Sequence, residues 1–549
     1  MSANADLAEA LRTIADLLDL AGERFKPEAY RRAARTIETL AEDVRTVSAR
    51  GGLTELPGVG EAIADKAEEF LRTGTIRYLD RLKTELPGGL LEVMRLPGVG
   101  PKTARRFWTE FGIEGPAELG AALAGGRFAG AKGFGARKIE QLAAALKAGA
   151  PGGGARTPLR DAWGIARLLV DGLRSAASID RIEIAGSLRR RRETVGDLDL
   201  LATTRDPEPV LEAFGHLAGV TAVTLRGPTK STVVVDGTVQ VDLRVVAPEA
   251  FGAALQYFTG SKDHNVRLRT RARDQGLKVN EYGVFRGEER VAGSTEEEVY
   301  AALGLPWIPP EIREDRGEID AAAAGTLPRL VDRGDLTGDL HLHLPATTTG
   351  PELDRLLRSA RATGLLWVGI VVDGPDDGPL AAAVAERERP ADDRAAAHRM
   401  AERPVGSPPV PGDAPWIASA QDAPAPPAAV PDGAPVLLAH LPAATRHASL
   451  AAWAGWAAET GAALDVTPRP EIDGLDAAAV RAAVDAGARL HVSAGVGSPS
   501  DPLEAIELAL GLARRGWAPP ESVINRRDPT SPAARRPAPA RPPRRRRPS

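Results

Sequence analysis

Residues 186–201 read GSLRRRRETVGDLDLL: a Gly-Ser turn, four arginines, a second glycine, then two aspartates one residue apart inside an apolar run. Along a strand, positions i and i+2 face the same way, roughly 6.6 Å apart. Asp197 and Asp199 therefore aim together. Unpaired carboxylates at that spacing repel, and burial strengthens the repulsion. A divalent cation removes it, and hard oxygen donors suit Mg²⁺ or Mn²⁺. The stretch VQVDLRVV, 239–246, offers a third acid, Asp242, again inside an apolar run. An edge strand with solvated acids explains one such residue more readily than three.

Upstream, a turn with bare N–H groups, a hydroxyl and nearby arginines is suited to phosphate oxygens. Gly186, Ser187 and Arg190 are best placed for that. Arg189, Arg191 and Arg192 are expected to be solvated or to face DNA. A triphosphate clamp beside an acid cluster is what metal-dependent nucleotidyl transfer needs.

The surrounding chain has 549 residues, too many for one core. It has no cysteine, which excludes disulfides, zinc–thiolate sites and a thiol nucleophile. The start, MSANADLAEALR, is not a secretory signal. The longest aliphatic run, LLWVGIVV at 365–372, falls far short of the roughly 18 residues a membrane helix needs. A soluble, cytoplasmic protein with no membrane partner is expected. Net charge is −4 but unevenly spread. The tail 526–549 has nine arginines against one aspartate, a net +8, while the rest has 61 basic and 73 acidic residues, a net −12.

Residues 1–150 read as amphipathic helices punctuated by LPGVG at 56–60 and again at 96–100, with a looser copy, KGFGARK, at 132–138. Pro-Gly-x-Gly makes a tight turn whose N–H groups, opening a helix, can hold a backbone phosphate. Such contacts position a duplex without reading its sequence. A Gly/Pro-rich connector, 149–158, follows. From about 160 to 250 the period changes to strands, with helices before and between them and a hairpin expected at Asp236-Gly237. Residues 251–315 mix helix and short strands. Another α/β stretch runs from about 335 to 525. It is interrupted by a Pro/Ala-rich region, 402–435, read as loop or poorly ordered chain.

The order GS, GDLDLL, then a third Asp on a later strand resembles the polymerase-beta-like nucleotidyltransferases. The segment YFTGSKDHNVRLRTRARDQGLKVNEYGVF, 257–285, narrows this to the thumb of family X DNA polymerases. The likeness spans about residues 1–315. It implies a multidomain α+β protein, bacterial by its Arg/Ala-rich composition. Its parts would be a lyase-like helical DNA-binding domain with a helix-hairpin-helix (1–85), fingers with a second one (86–150), a nucleotidyltransferase palm (151–256) and a thumb (257–320). A PHP-like α/β domain with a distorted TIM-like fold (335–525) and a disordered Arg/Pro-rich tail (526–549) would follow.

By the same resemblance, Asp197, Asp199 and Asp242 would be catalytic and would hold two Mg²⁺ or Mn²⁺ ions. Gly186, Ser187, Arg190 and Gly196 would bind the incoming dNTP, with Tyr257, Phe258, Gly260 and Asn265 at its sugar and base. Tyr257 and Phe258 read from the sequence alone are equally core aromatics. Lys26, Gly58, Gly60, Gly98, Gly100, Lys102 and Arg269 would contact gapped or primer–template DNA. Glu281 and Tyr282 would belong to an open-to-closed network. Lys66 stands where animal members carry the Schiff-base lysine of a 5′-deoxyribose-phosphate lyase; a solvated helix lysine is the competing reading. Lys262 and Val266 depart from animal members at positions tied to fidelity.

GDLHLH, 338–343, resembles the start of a PHP phosphoesterase domain, a metal-dependent 3′-to-5′ exonuclease in many bacterial relatives. That family needs about nine ligands. Here TTTG, Val372-Asp373-Gly374 and Gly495-Val496-Gly497 stand where further ligands belong, and the Pro/Ala-rich region replaces the segment for a middle Glu and His. His341, His343 and His440 remain as metal-ligand candidates. A degenerate domain without exonuclease activity, its metals absent or partial, is expected.

The resulting expectation is a gap-filling, DNA-directed DNA polymerase of family X in DNA repair, acting as a monomer, with repair proteins as further partners. The Arg-rich tail reads as an electrostatic DNA contact or as low-complexity sequence with no dedicated role. Two alternatives stay open: a non-templated nucleotidyltransferase on DNA ends, and a non-catalytic DNA-repair binding factor.

Overall fold

The computed structural model describes residues 3–525 apart from 24, 39, 41–43, 95, 97–98, 129–130, 132–133, 136–138, 141, 144–145, 147–155, 375–377, 389–394, 405–415, 422, 424, 427–436, 442–449, 469–474 and 497–501. Gly98, most of the loose third hairpin copy, the 149–158 connector up to residue 155, much of 402–435 and the 526–549 tail lie outside the described residues. Two compact units divide the chain, Met1–Leu327 and Pro328–Ser549. Among the described residues no helix is long and apolar enough to cross a membrane.

The first unit opens with helices. In α1 (Ala3–Ala21), Leu7, Leu11, Ile14 and Leu18 recur at helical spacing and are buried. Helix α2 (Lys26–Glu38) packs on it. Arg31 ties the two by reaching Asp16 at 2.7 Å and Asp19 at 2.5 Å. Helix α3 (Glu61–Thr73) starts at the N-cap Gly60, and α4 (Arg77–Glu85) follows. Helix α5 (Pro101–Phe111) starts at the N-cap Gly100, with Pro101 at its first position. Both LPGVG phrases thus end where a helix begins, as their turn chemistry requires. Gly58 has φ +82°, and a Cβ there would press on the Arg32 side chain at 2.7 Å.

Helix α6 (Leu159–Ala176) leads into a five-stranded mixed sheet. Its strands are β1 (Arg181–Ile184), β2 (Leu198–Thr203), β3 (Val220–Arg226), β4 (Lys230–Val235) and β5 (Val239–Val245), in the order β1-β2-β5-β4-β3. Only β2–β5 is parallel. The four-residue helix α7 (Gly186–Arg189) turns the chain between β1 and β2. The expected hairpin joins β4 to β5, with Val235 opposite Val239. Asp236 and Gly237 both have positive φ, as a two-residue hairpin turn demands.

Helices α8 (Phe251–Thr259), α9 (Lys262–Asp274) and α10 (Glu296–Ala302) follow, with a three-stranded antiparallel sheet between α9 and α10. Gly252 and Ala253, at the start of α8, donate their N–H groups to Ser294 O at 3.1 Å and Gly293 O at 2.8 Å. The loop before α10 thereby satisfies donors that a helix start leaves unpaired.

The second unit is built on seven parallel strands. They are β6 (Gly338–Pro345), β7 (Trp367–Asp373), β8 (Ala396–Arg399, continuing as Ala401–Pro404), β9 (Trp416–Ser419), β10 (Leu437–Ala439), β11 (Ala463–Val466) and β12 (Arg489–Val492, continuing as Gly495–Val496). Neighbours pair in that order, and β12 returns to β6 through Leu342↔Gly495 and His343↔Val496. The described strands therefore close into a ring, the distorted TIM-like arrangement expected. One expectation is corrected. The region 402–435, read as loop, contributes the end of β8 and all of β9. AERP and WIAS are too short to carry a period, so pairing with neighbouring strands makes them strands.

Candidate functional site

The parallel pairing of β2 with β5 sets Asp199 directly opposite Asp242. Asp197 precedes β2 by one residue, at the solvent-facing rim. Burial, then the charges of Asp197 and Asp242, push the Asp199 carboxyl up to about 7. Asp197 is raised too, by the protein walls around it and then by Asp242, although its side chain reaches solvent. Asp242 is held from β4: Thr232 Oγ1 donates to its Oδ1 at 2.7 Å, and Lys230 Nζ lies 2.5 Å from its Oδ2. Arg244 Nη2 is 4.0 Å from the same oxygen, and its guanidinium lies over the Phe258 ring at 4.4 Å.

Gly186 has φ +64°, and a Cβ there would collide with the Asp199 carboxylate. The first glycine of the opening stretch is thus needed for its close approach to that acid. Three clustered oxygen donors, one titrating near neutrality because burial and then its two neighbours disfavour its charge, fit a hard divalent cation.

Ser187 sits in α7, and its carbonyl accepts the Arg192 N–H at 3.0 Å. Arg190 reaches into the second half of the unit: Nη1 donates to Thr259 O at 2.5 Å, and Nε pairs with Glu314 at 3.1 Å. Gly260 lies against it, its absent Cβ 3.2 Å from Arg190 Nη1. Gly196 is exposed, 3.8 Å by the same measure from Arg156. Tyr257 and Phe258 meet edge to face at 5.2 Å, and Phe258 also packs on the cluster of Ala185, Leu201, Phe251 and Leu255. Asn265 is buried; its amide donates to Tyr257 O and accepts from Gln256, both at 2.7 Å. Arg269 is exposed, as are Lys26 and Lys102. Glu281 is half-buried and Tyr282 exposed.

Two of the remaining arginines are not solvated, which corrects the sequence reading. Arg189 makes a two-pronged pair with Glu296, both bonds 2.8 Å. Glu296 also accepts from the fully buried Arg313 at 2.6 Å and from Trp307 at 3.1 Å. Burial would raise the Glu296 carboxyl, but Arg313 and Arg189 hold it far below its ordinary range. Arg191 stacks on Trp163 at 3.7 Å. A run of four arginines looks solvated in sequence because its partners lie on elements far along the chain.

In α3, Lys66 Nζ donates to Ala62 O at 2.7 Å and lies 5.2 Å from the Tyr78 ring centre. It lines a cavity of about 630 Å³ together with Asp65, Arg72, Arg77, Tyr78 and Arg81.

Comparison with known proteins gives three family matches: a helix-hairpin-helix domain over residues 2–76, a SAM-like helix-hairpin-helix tandem over 90–148, and the DNA polymerase beta thumb over 254–314. A DNA polymerase/3′-5′ exonuclease PolX of Bacillus subtilis is 36% identical over 344 residues, 62% of this chain and 59% of that one. DNA polymerase lambda of Rattus norvegicus is 26% identical over 348 residues, 57% and 56% of the two chains. The first unit carries all three of these family matches and resembles the family X DNA polymerases. The chain spans less than two thirds of these relatives' length. Within this unit, Gly186 of the Gly-Ser turn meets Asp199 beside Asp242 on the five-stranded sheet, and the LPGVG phrases open α3 and α5.

In the second unit a separate cluster forms. One ligand atom from each of His341, His343, Glu402 and His440 falls within 4.8 Å of all the others. His341 Nδ1 lies 2.7 Å from Asp465, and His343 Nδ1 lies 2.7 Å from Asp373. With each carboxylate accepting an Nδ1 proton, the two Nε2 atoms face one another at 2.9 Å, a spacing at which they share a proton or hold a cation. Glu402 lies 3.1 Å from His343 Nε2 and 3.2 Å from His440 Nε2. Burial alone would lower His341, yet Asp465 and then Glu402 push it up to about 10. The cluster thus demands a positive charge at its centre. Its spacings suit one tetrahedral ion, whose ligand atoms sit about 3.4 Å apart for bonds near 2.1 Å.

Glu402 corrects the expectation that the middle acid was lost: it is the first residue of the Pro/Ala-rich region, held by β8. Asp465 was also missed. It carries the signal that revealed Asp242, an acid inside an apolar strand, ALDV.

Proposed function

We propose that this protein is a template-directed DNA polymerase that fills short gaps during DNA repair in the cytoplasm of a bacterium. The observation that carries the reading is the Asp199–Asp242 pairing across β2 and β5, with Asp197 at the rim and Gly186 pressed on Asp199. Asp197, Asp199 and Asp242 would hold Mg²⁺ or Mn²⁺. Such ions favour the ionised primer hydroxyl and neutralise the departing pyrophosphate. Thr232 fixes the rotamer of Asp242. Ser187 and Arg190 would take the triphosphate, Gly196 would give it room, and Tyr257, Phe258, Gly260 and Asn265 would bound its sugar and base. The N–H groups at Gly58, Gly60, Gly98 and Gly100, with Lys26, Lys102 and Arg269, would grip DNA phosphates. The cavity beneath Lys66 supports 5′-deoxyribose-phosphate lyase chemistry as an accessory activity.

The test is a labelled primer on a one-nucleotide-gapped duplex with Mg²⁺ or Mn²⁺ and dNTPs. Template-matched lengthening, lost in Asp242→Asn, is the expected result. Lengthening that ignores the template would favour a non-templated transferase. No lengthening with either metal would leave a DNA-binding factor.

A second reading concerns the ring of strands. We infer that His341, His343, Glu402 and His440 hold a single divalent ion and that the domain does not cut DNA. Thr347–Thr349, Gly374 and Gly495-Val496 supply no imidazole or carboxylate for further ions, and the Asp373 carboxylate is engaged by His343 Nδ1. Shortening of the primer without dNTPs, abolished by His341→Ala/His343→Ala, would overturn this.

A further inference from the structure

We propose that Lys230 is an internal counter-ion of the palm: its ammonium occupies, at Asp242, the place a divalent cation takes, and so sets how tightly that cation binds. This rests on the palm reading above and goes beyond it. Lys230 stands on β4 opposite Arg244 of β5, and Thr232, two residues on, stands opposite Asp242. Both β4 side chains therefore lie on the face that carries Asp242 and converge on its two oxygens, the hydroxyl on Oδ1 and the ammonium on Oδ2. Thr232 donates a neutral hydrogen bond and can keep it when a metal arrives. Lys230 cannot keep its place, because it covers the oxygen nearest to it with a full positive charge.

The other charged groups around the acids do not take this position. Arg244 is 4.0 Å from Oδ2 and engaged over the Phe258 ring. Arg156 faces Asp197 and bonds Thr194 through Nε at 2.8 Å. Lys230 is thus the closest cation to Asp242 among the described residues. Its side chain is 28% exposed against 11% for Asp242, so it has solvent to move into when displaced. In the resting protein it offsets part of the repulsion among three carboxylates. When a divalent ion binds, that ion does the same work more strongly, and the ammonium becomes a like charge beside it. Coulomb attraction at contact distance, reduced by the solvent at a part-exposed site, makes the competition worth about tenfold in metal affinity.

The experiment is a Mn²⁺ titration of the full chain without DNA or nucleotide, at fixed ionic strength, read by the electron paramagnetic resonance signal of free Mn²⁺. The class of sites lost in Asp242→Asn belongs to the palm. Lys230→Met should tighten that class about tenfold, Lys230→Gln should do the same, and Lys230→Arg should restore the wild-type affinity. Unchanged or weaker Mn²⁺ binding in folded Lys230→Met and Lys230→Gln, judged by circular dichroism, overturns the counter-ion role while leaving the palm reading intact. If Asp242→Asn keeps every wild-type class of sites, the palm reading fails and the counter-ion role falls with it.

Discussion

Glu296 is a single carboxylate that receives Arg189, Arg313 and Trp307. Nothing in its local sequence, STEEEVY, marks it out from the two glutamates beside it; only the fold brings the arginines. Its pairing makes two predictions. Glu296→Gln leaves the buried Arg313 guanidinium without its countercharge, so unfolding free energy should drop by about 3–5 kcal/mol in denaturant titration. The pH dependence follows from the depressed carboxyl. The stabilisation is complete above the ordinary value of 4.5 and is lost as pH falls below it toward the lower folded value. The stability gap between wild type and Glu296→Gln should therefore be constant above pH 4.5 and narrow on acidification below it. Asp197, Asp199 and Asp242 were legible for the opposite reason: an acidic residue inside an apolar strand has no local excuse. Glu402 escaped because it begins a Pro/Ala-rich stretch, where an acid looks solvated.

At the scale of elements, start signals read well and short strands did not. LPGVG announced α3 and α5 through the backbone its glycines permit, and Asp236-Gly237 announced the β4–β5 turn. The strand pieces at 401–404 and 416–419 carry no period of their own and depend on their neighbours. The docking of α8 was equally silent. Gly252 lies so close to the Thr295 backbone that a Cβ would overlap its N, Cα and C atoms. Gly252→Ala should push α8 off the loop before α10 and lower stability by about 1–3 kcal/mol, read as a fall in the Tm of the full chain. Wild-type stability would mean that this loop yields freely.

The whole molecule divides into two compact units, each with its own candidate site, and perturbing one site tests the independence of the other. Stripping divalent ions with a chelator should lower the Tm of the second unit, and readdition should restore it. An ion at a hundred times its Kd contributes about 2.7 kcal/mol to the folded state. His343→Ala should abolish that response. Primer extension by His341→Ala/His343→Ala should stay at the wild-type rate, since neither residue belongs to the unit that holds Asp197, Asp199 and Asp242; a large loss in a folded variant would tie the units together. The order of the parts was visible in sequence through the switch from helical to alternating periods. Closure of the second unit was expected only through the resemblance of GDLHLH to a PHP domain, not from any residue pattern, because ring closure is a property of pairing between β6 and β12, nearly the full length of the domain apart.

That closure reaches beyond metal chemistry. An open sheet ends in strands whose unpaired backbone invites another chain to add on, and proteins guard against the aggregation that follows. The ring of described strands has no such end: β12 pairs back onto β6. Substitution of a side chain at its carboxyl rim leaves the backbone pairing of the ring complete. A closed ring of this kind can therefore accept changes among its rim side chains without exposing a strand edge to another chain.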